Sequence, residues 1–168
     1  QKIEEKNLPI NISIDTDVPD LLIGDSLRIQ QVLLNLLGNA IKFTEKGKIS
    51  IAATVIEKTG LRVLLDIAVQ DTGIGIPVDV HEHIFEPFAQ ILDSRLPKCG
   101  GSGLGLAISR SLAGLMGGSI GVESQEGVGS TFHLLVPLQM KIGNLSDNHL
   151  TERESSLWSG PALTILLA

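Results

Sequence analysis

The stretch Gln31-Val32-Leu33-Leu34-Asn35-Leu36-Leu37-Gly38-Asn39-Ala40-Ile41-Lys42-Phe43-Thr44 decides how this chain is read. With Leu27 and Ile29 before it, it is apolar around most of a helical circumference, which predicts a largely buried helix over Ser26–Phe43, capped by Asp25 or Ser26. One polar stripe interrupts it. Arg28, Gln31, Asn35, Asn39 and Lys42 recur at spacings of three and four and share a face. A plain solvated face is one reading, but such faces are usually built from Glu, Lys and Gln. Two Asn residues four apart are poor helix formers and suit a face that lines a polar cavity. Asn oxygens are hard ligands suited to Mg²⁺ beside phosphate oxygens, and Lys42 supplies a point charge for a phosphate.

Strand signals flank the helix. Residues 8–14 alternate apolar and polar with period two, residues 17–24 read as a loop, and residues 49–55 and 61–69 alternate around a tight turn at 58–60. Residues 80–88 suggest a short helix and turn. Residues 104–116 carry helical spacing stopped by Gly117 and Gly118, and residues 120–122 and 132–138 complete five strands. Two hairpins and three helices do not make a regular βαβ alternation. The expectation is an α/β fold: a two-layer α/β sandwich with a mixed five-stranded sheet and helices on one face.

Three glycine clusters punctuate this pattern. Asp71-Thr72-Gly73-Ile74-Gly75-Ile76 follows a strand; its glycines allow close backbone approach, and Asp71 can accept a hydrogen bond from an exocyclic amine. Gly100-Gly101-Ser102-Gly103-Leu104-Gly105-Leu106 opens a helix, so its amides and the helix dipole favour an anion. It is not a Walker A loop, because no Gly-Lys-Ser/Thr follows, and it fails the dinucleotide fingerprint at Ile108. Gly127-Val128-Gly129-Ser130-Thr131 alone reads as a hairpin turn.

The bulk numbers set limits. With 43% hydrophobic residues in 168, one domain with a real core is expected, and 3% aromatics make that core aliphatic. A net charge of −6 disfavours nucleic acid as a partner. The single cysteine, Cys99, closes no disulfide within the chain, which fits a reducing, cytoplasmic setting. No apolar run is long enough for a membrane span. His81-Glu82-His83 lacks the i, i+4 pairing of a zinc helix and is not read as a metal site.

Taken together, the segments resemble the ATP-binding domain of sensor histidine kinases, within the GHKL superfamily of gyrase-type and mismatch-repair ATPases. Residues 31–44 resemble the N box, Asp71-Thr72-Gly73-Ile74-Gly75 the first glycine box and Ile84-Phe85-Glu86-Pro87-Phe88 the F box. Gly101-Ser102-Gly103-Leu104-Gly105-Leu106 and Gly127-Val128-Gly129-Ser130-Thr131 resemble the second and third glycine boxes. Each motif is weak singly; five in the family's order over residues 8–140 are specific.

The resemblance implies a Bergerat ATP-binding fold that binds ATP with Mg²⁺ and donates the γ-phosphate to a histidine. Asp71 would read the adenine amino group, with Gly73, Gly75, Ile76 and Thr131 around it. Asn39 would coordinate Mg²⁺ beside Asn35, and Lys42 would touch the phosphates. Residues 88–101, from Phe88, would be a lid offering Arg95 and Lys98. Gly101, Ser102, Gly103, Leu104, Gly105 and Leu106 would admit the triphosphate. Family hydrolases carry a water-activating Glu where Asn35 stands; an amide is no general base, so slow hydrolysis is expected. The alternatives are a degenerate nucleotide-binding regulatory module and a GHKL-type ATPase.

None of His81, His83, His133 or His149 has the family's acceptor context. The dimerisation and histidine-acceptor domain is therefore expected before residue 1, with the parent a homodimer and this fragment monomeric. Residues 1–140 are expected to form the catalytic domain and 141–161 a polar linker. Residues 162–168 are expected to be the truncated first strand of a receiver domain, which would make the parent a hybrid kinase, cytoplasmic in this part, that passes its phosphate to a receiver or response regulator.

Overall fold

The computed structural model describes Lys6 and residues 8–89, 102–141 and 164–166. In chain order the strands are β1 (Ile10–Ile14), β2 (Leu21–Ile23), β3 (Ile49–Thr59), β4 (Arg62–Asp71), β5 (Ser119–Gln125), β6 (Gly129–Met140) and β7 (Thr164–Leu166). The helices are α1 (Ser26–Phe43) and α2 (Gly105–Leu115). The spine is the antiparallel ladder of β4 on β6, running from Arg62 opposite Gln139 to Asp71 opposite Ser130. β3 pairs antiparallel with the other edge of β4, and β1 pairs parallel with β3. The far edge of β6 is shared. β5 lies along its first half, and β2 takes its last two residues, with Leu22 opposite Met140.

Period-two patterning gives this sheet one apolar face. Val63, Leu65, Ile67 and Val69 of β4 face Leu138, Val136, Leu134 and Phe132 of β6, all buried. Onto that face α1 lays Ile29, Val32, Leu36 and Ala40, spaced as one helical stripe, and α2 adds Ala113. The Phe85 ring meets Phe132 edge to face at 6.4 Å, bringing residues 83–88 onto the same core. The result is the expected two-layer sandwich with a mixed sheet.

Three details differ from the sequence reading. The sheet has seven strands rather than five, because two three-residue strands join it that were not counted among the five. One is β2, inside the stretch read as a loop. The other is β7, which pairs in parallel with β2 through Leu22 opposite Ile165, although no partner was expected for it. Residues 80–88 form no α-helix. Pro77 and Pro87 bracket two 3₁₀ turns there, Val78–Val80 and His83–Phe85. Finally, α1 is buried along one stripe only: Leu27 and Leu34 are 68% and 62% exposed.

Candidate functional site

The site is built at the end of the sheet where β4 stops. Helix α1, whose last residue Phe43 meets this end through its carbonyl, is fixed at both of its own ends. Asp25 accepts the Arg28 amide at 3.0 Å as N-cap, and the Thr44 amide closes the last turn on Ala40 at 3.0 Å. The Lys6 ammonium donates to the carbonyls of Ile41, Lys42 and Thr44 at 2.9, 3.3 and 3.2 Å, where the helix dipole favours a cation. The half-buried Asn35, Asn39 and Lys42 therefore stand on a held helix, with the Lys42 ammonium 4.6 Å from the Phe43 ring centre.

Asp71 ends β4 and is 7% exposed. Its carboxylate accepts the Gly73 amide at 2.8 Å. Burial pushes its carboxyl above the usual range. The amides of Gly73 and Ser130 and the neighbouring Thr44 hydroxyl oppose this by favouring the charged form. That hydroxyl is itself fully buried and completes no hydrogen bond of normal geometry. A carboxylate with unused lone pairs beside an orphaned hydroxyl suits a ligand that offers an N–H and an acceptor, as a purine edge does.

The glycines of the separate clusters are required by one another's backbones. A Cβ on Gly73 would strike the Phe43 carbonyl, and one on Gly129 would strike that of Asp71. Gly75, at φ +70°, leaves no room for a Cβ against the Gln125 carbonyl. Hydrogen bonds lace the same segments together: the Gly127 amide to the Ile74 carbonyl at 2.7 Å, and the Ile76 amide to Ser124 Oγ at 2.8 Å. His81 Nε2 lies 2.9 Å from the Ile76 carbonyl, holding that loop from its other side.

The start of α2 closes the site. The Phe88 amide bonds the Gly103 carbonyl at 3.0 Å, Phe88 itself adopts φ +64°, and the Ser102 hydroxyl accepts the Leu104 amide at 3.3 Å. Among the described residues no side chain caps the α2 N-terminus, and amides left in this way suit an anion. Asn35 reaches across to this turn: its Nδ2 donates to Ser109 Oγ at 2.9 Å, and its Oδ1 lies where a Cβ on Gly105 would be. Leu106 packs against the core.

Asp71, Gly73, Gly75 and Ile76 are thus joined in one laced group that meets the end of α1 at the Phe43 carbonyl, and Asn35 separately joins α1 to Gly105 at the start of α2; Asn39 and Lys42 stand on α1 between these two contacts. Arg95, Lys98 and Gly101 lie outside the described residues, as does Cys99. Thr131 does not join them. It pairs with Gln70, so it sits on the opposite face of the sheet from Asp71, and Ser130 occupies the Asp71 face instead. Strand parity in the sequence carries this signal: Ser130 is in phase with Phe132 and Leu134, the buried face. Ser109 and Thr44 had no such signal.

The donor set suits Mg²⁺. Among the described residues no three His, Cys, Asp or Glu side chains converge on a metal position, whereas the Asn35 and Asn39 oxygens are hard ligands of the kind that complete a shell of phosphate and water. His83 Nδ1 is instead 2.9 Å from Glu86 Oε1, which holds its imidazolium above the usual range. A depression lined by Thr16, Asp17, Val18, Pro19, Asp20, Val55 and Lys58 lies at the opposite end of the β3–β4 ladder and brings none of these groups together.

A two-layer sandwich with a buried acid at a strand end, an Asn-bearing helix and an uncapped helix N-terminus defines a nucleotide-binding domain class. Residues 24–140 match the family described as histidine kinase-, DNA gyrase B- and HSP90-like ATPase, and the chain belongs to that family. It is 44% identical over 153 residues to hybrid signal transduction histidine kinase F of Dictyostelium discoideum, covering 89% of this chain and 14% of that protein. Over 136 residues it is 43% identical to the signal transduction histidine-protein kinase BarA of Escherichia coli K12, covering 81% of this chain and 15% of that one. The chain therefore spans about one seventh of the length of these relatives.

Among solved structures, full-length ShkA in complex with AMPPNP superposes with TM-score 0.71 at 36% identity, covering 83% of this chain and 27% of that one. The catalytic domain of histidine kinase ThkA gives TM-score 0.61 at 34% identity, covering 81% of this chain and 84% of that one.

Proposed function

We propose that this chain binds Mg-ATP and passes the γ-phosphoryl group to a histidine on a separate dimerisation and acceptor domain, as the catalytic part of a two-component signalling kinase. The observation that carries the reading is that one helix, α1, meets the Asp71 loop at the Phe43 carbonyl and the start of α2 at Asn35. Asp71 accepts the exocyclic amine of adenine, with the Thr44 hydroxyl beside it. The amides at the start of α2 and the Lys42 ammonium neutralise phosphate oxygens. Asn35 and Asn39 would hold Mg²⁺, which when bound supplies charge neutralisation at the phosphates.

Phosphoryl transfer rests mainly on positioning and charge stabilisation, which these groups provide. No carboxylate stands at position 35 to activate water, so the γ-phosphoryl is kept for its acceptor. His81 and His133 are held by Ile76 and Asp66 on the scaffold itself. The acceptor histidine therefore belongs to another domain, and the isolated chain does not phosphorylate itself. The relatives' greater length accommodates that domain before residue 1 and a receiver domain after this one. Residues 162–168 are read as the receiver's first strand, 141–161 as a linker, and the parent as a homodimeric hybrid kinase. Among the described residues no helix is long and apolar enough to cross a membrane. A cytoplasmic position for this part is proposed on its chemistry.

Calorimetric titration with a non-hydrolysable ATP analogue, with and without Mg²⁺, tests the reading. One-site binding strengthened by Mg²⁺, followed by labelling of a separately made acceptor hairpin, is expected. Binding with no transfer would support a regulatory module instead, and rapid phosphate release by the chain alone would support a hydrolase.

A further inference from the structure

The Asn35 carboxamide makes two contacts of opposite character with α2. Its Nδ2 donates to Ser109 Oγ at 2.9 Å across 74 residues, and its Oδ1 rests against the Gly105 backbone. Ser109 is 1% exposed and sits one helical turn after Gly105, on the same face of α2. An Asn side chain has two ends of nearly equal shape and contrary polarity, and rotating it by half a turn exchanges donor for acceptor. The start of α2 bears partial positive charge and favours the oxygen there. That preference is weak alone, since an Asn near a helix terminus can satisfy itself in other ways. The buried Ser109 hydroxyl, which can accept or donate, supplies an anchor: it holds the far end of the carboxamide and so keeps the side chain in the rotamer that sets its other end at the start of α2.

We infer that Ser109 is a positioning residue: it anchors the Asn35 side chain in the rotamer that keeps its oxygen, the end favoured by the α2 N-terminus, at the metal-and-phosphate site. This rests on the nucleotide reading above and adds to it a residue outside the sequence motifs. Without the hydroxyl the carboxamide is free to leave that rotamer, and its oxygen is no longer held for a cation.

The test uses the chain as it stands, with a non-hydrolysable ATP analogue titrated in EDTA and in MgCl₂. Ser109→Ala should leave affinity in EDTA unchanged and reduce the Mg²⁺ enhancement about 10-fold, as loss of a partner behind a metal ligand typically does. Ser109→Thr, which keeps the hydroxyl, should restore it. Combining Ser109→Ala with Asn35→Ala should weaken the Mg²⁺ response no further than Asn35→Ala alone.

A second readout needs no nucleotide. In the free chain the Asn35 side-chain NH₂ protons should exchange slowly by NMR, and Ser109→Ala should make them fast. Full Mg²⁺ enhancement in Ser109→Ala would overturn the inference, as would equal losses with and without Mg²⁺, additive effects in the double variant, or fast exchange in the wild type. If thermal melting shows Ser109→Ala unfolded, Ser109→Cys replaces it, with a weaker acceptor of similar size. A wild-type chain that binds the analogue no better with Mg²⁺ would instead sink the nucleotide reading, leaving the exchange measurement to judge Ser109.

Discussion

The Asp71 carboxylate accepts the Gly73 amide at 2.8 Å, so the residue that ends β4 also fastens the loop that follows it. Asn at this position can keep that bond through its Oδ1 while presenting NH₂ to the ligand's own amine. Asp71→Asn should therefore leave the fold intact and weaken adenine-nucleotide binding about 10- to 100-fold, the range for a hydrogen bond to a charged group. Calorimetry checks it, and an unchanged affinity would remove Asp71 from the site.

The same substitution should alter the pH dependence of stability. Burial raises the Asp71 carboxyl above its ordinary value, so folding favours the protonated form. The wild type carries a penalty at neutral pH that fades as pH falls through the raised value and is gone below about 4. Asp71→Asn should melt at or above the wild-type temperature at pH 7, with the difference shrinking on acidification. A variant that melts lower at pH 7 and gains on the wild type in acid would reverse the sign of this argument.

Asn39 stands one turn beyond Asn35 on the same face of α1. Asn39→Ala should abolish the strengthening of ATP binding by Mg²⁺ while leaving affinity in EDTA close to wild type. Paired titrations with and without the metal decide this, and a Mg²⁺ response that survives would take the metal away from Asn39.

Gly75 and Gly127 share a left-handed conformation, at φ +70° and +78°, but differ in surroundings. Space around Gly127 is open, so Gly127→Ala should cost only the backbone strain, about 1 kcal/mol. Gly75→Ala must also displace the Gln125 backbone and should cost about 3 kcal/mol or more, among the larger single-site effects. Urea unfolding of the two variants separates strain from crowding; equal losses would mean that the loop yields freely.

On the outer face of the sheet His133 Nδ1 lies 2.8 Å from Asp66 Oδ2, while Asp66 Oδ1 and His133 Nε2 are buried without partners. His133→Ala would orphan the Asp66 carboxylate entirely and should cost about 1–3 kcal/mol. Replacing both residues by Leu should cost less than this single change, because no polar group is then stranded. Denaturant melts of the two variants give the comparison, and a costlier double replacement would show the pair to be favourable as it stands.

The sequence showed what periodicity can show. Ser26–Phe43 was predicted as a helix with the bounds it has, and the alternation in β4 and β6 identified their buried faces. The alternation also assigns Ser130 to the Asp71 side, although Thr131 was taken from the motif in its place. β2 escaped because three consecutive apolar residues after Pro19 carry no period. The bond between Asn35 and Ser109 escaped for a different reason. Each residue is ordinary in its own helix, and only the packing of two helices 74 positions apart brings them together. The paired Asp66 and His133 were invisible in the same way, each being one polar residue on a strand's outer side.

The last two residues of β6 hold β2 in place, although β2 is made more than 100 positions earlier. During synthesis β4 likewise waits for the whole of β6, so the sheet on the ribosome is limited to β1, β3 and β4 until β6 has emerged. Until then α1 has only a partial surface on which to bury its stripe, and nascent chains ending in the β5–β6 turn should remain protease-sensitive. The apolar face of β4 and the edge of β4 that awaits β6 are the surfaces a chaperone would meet first.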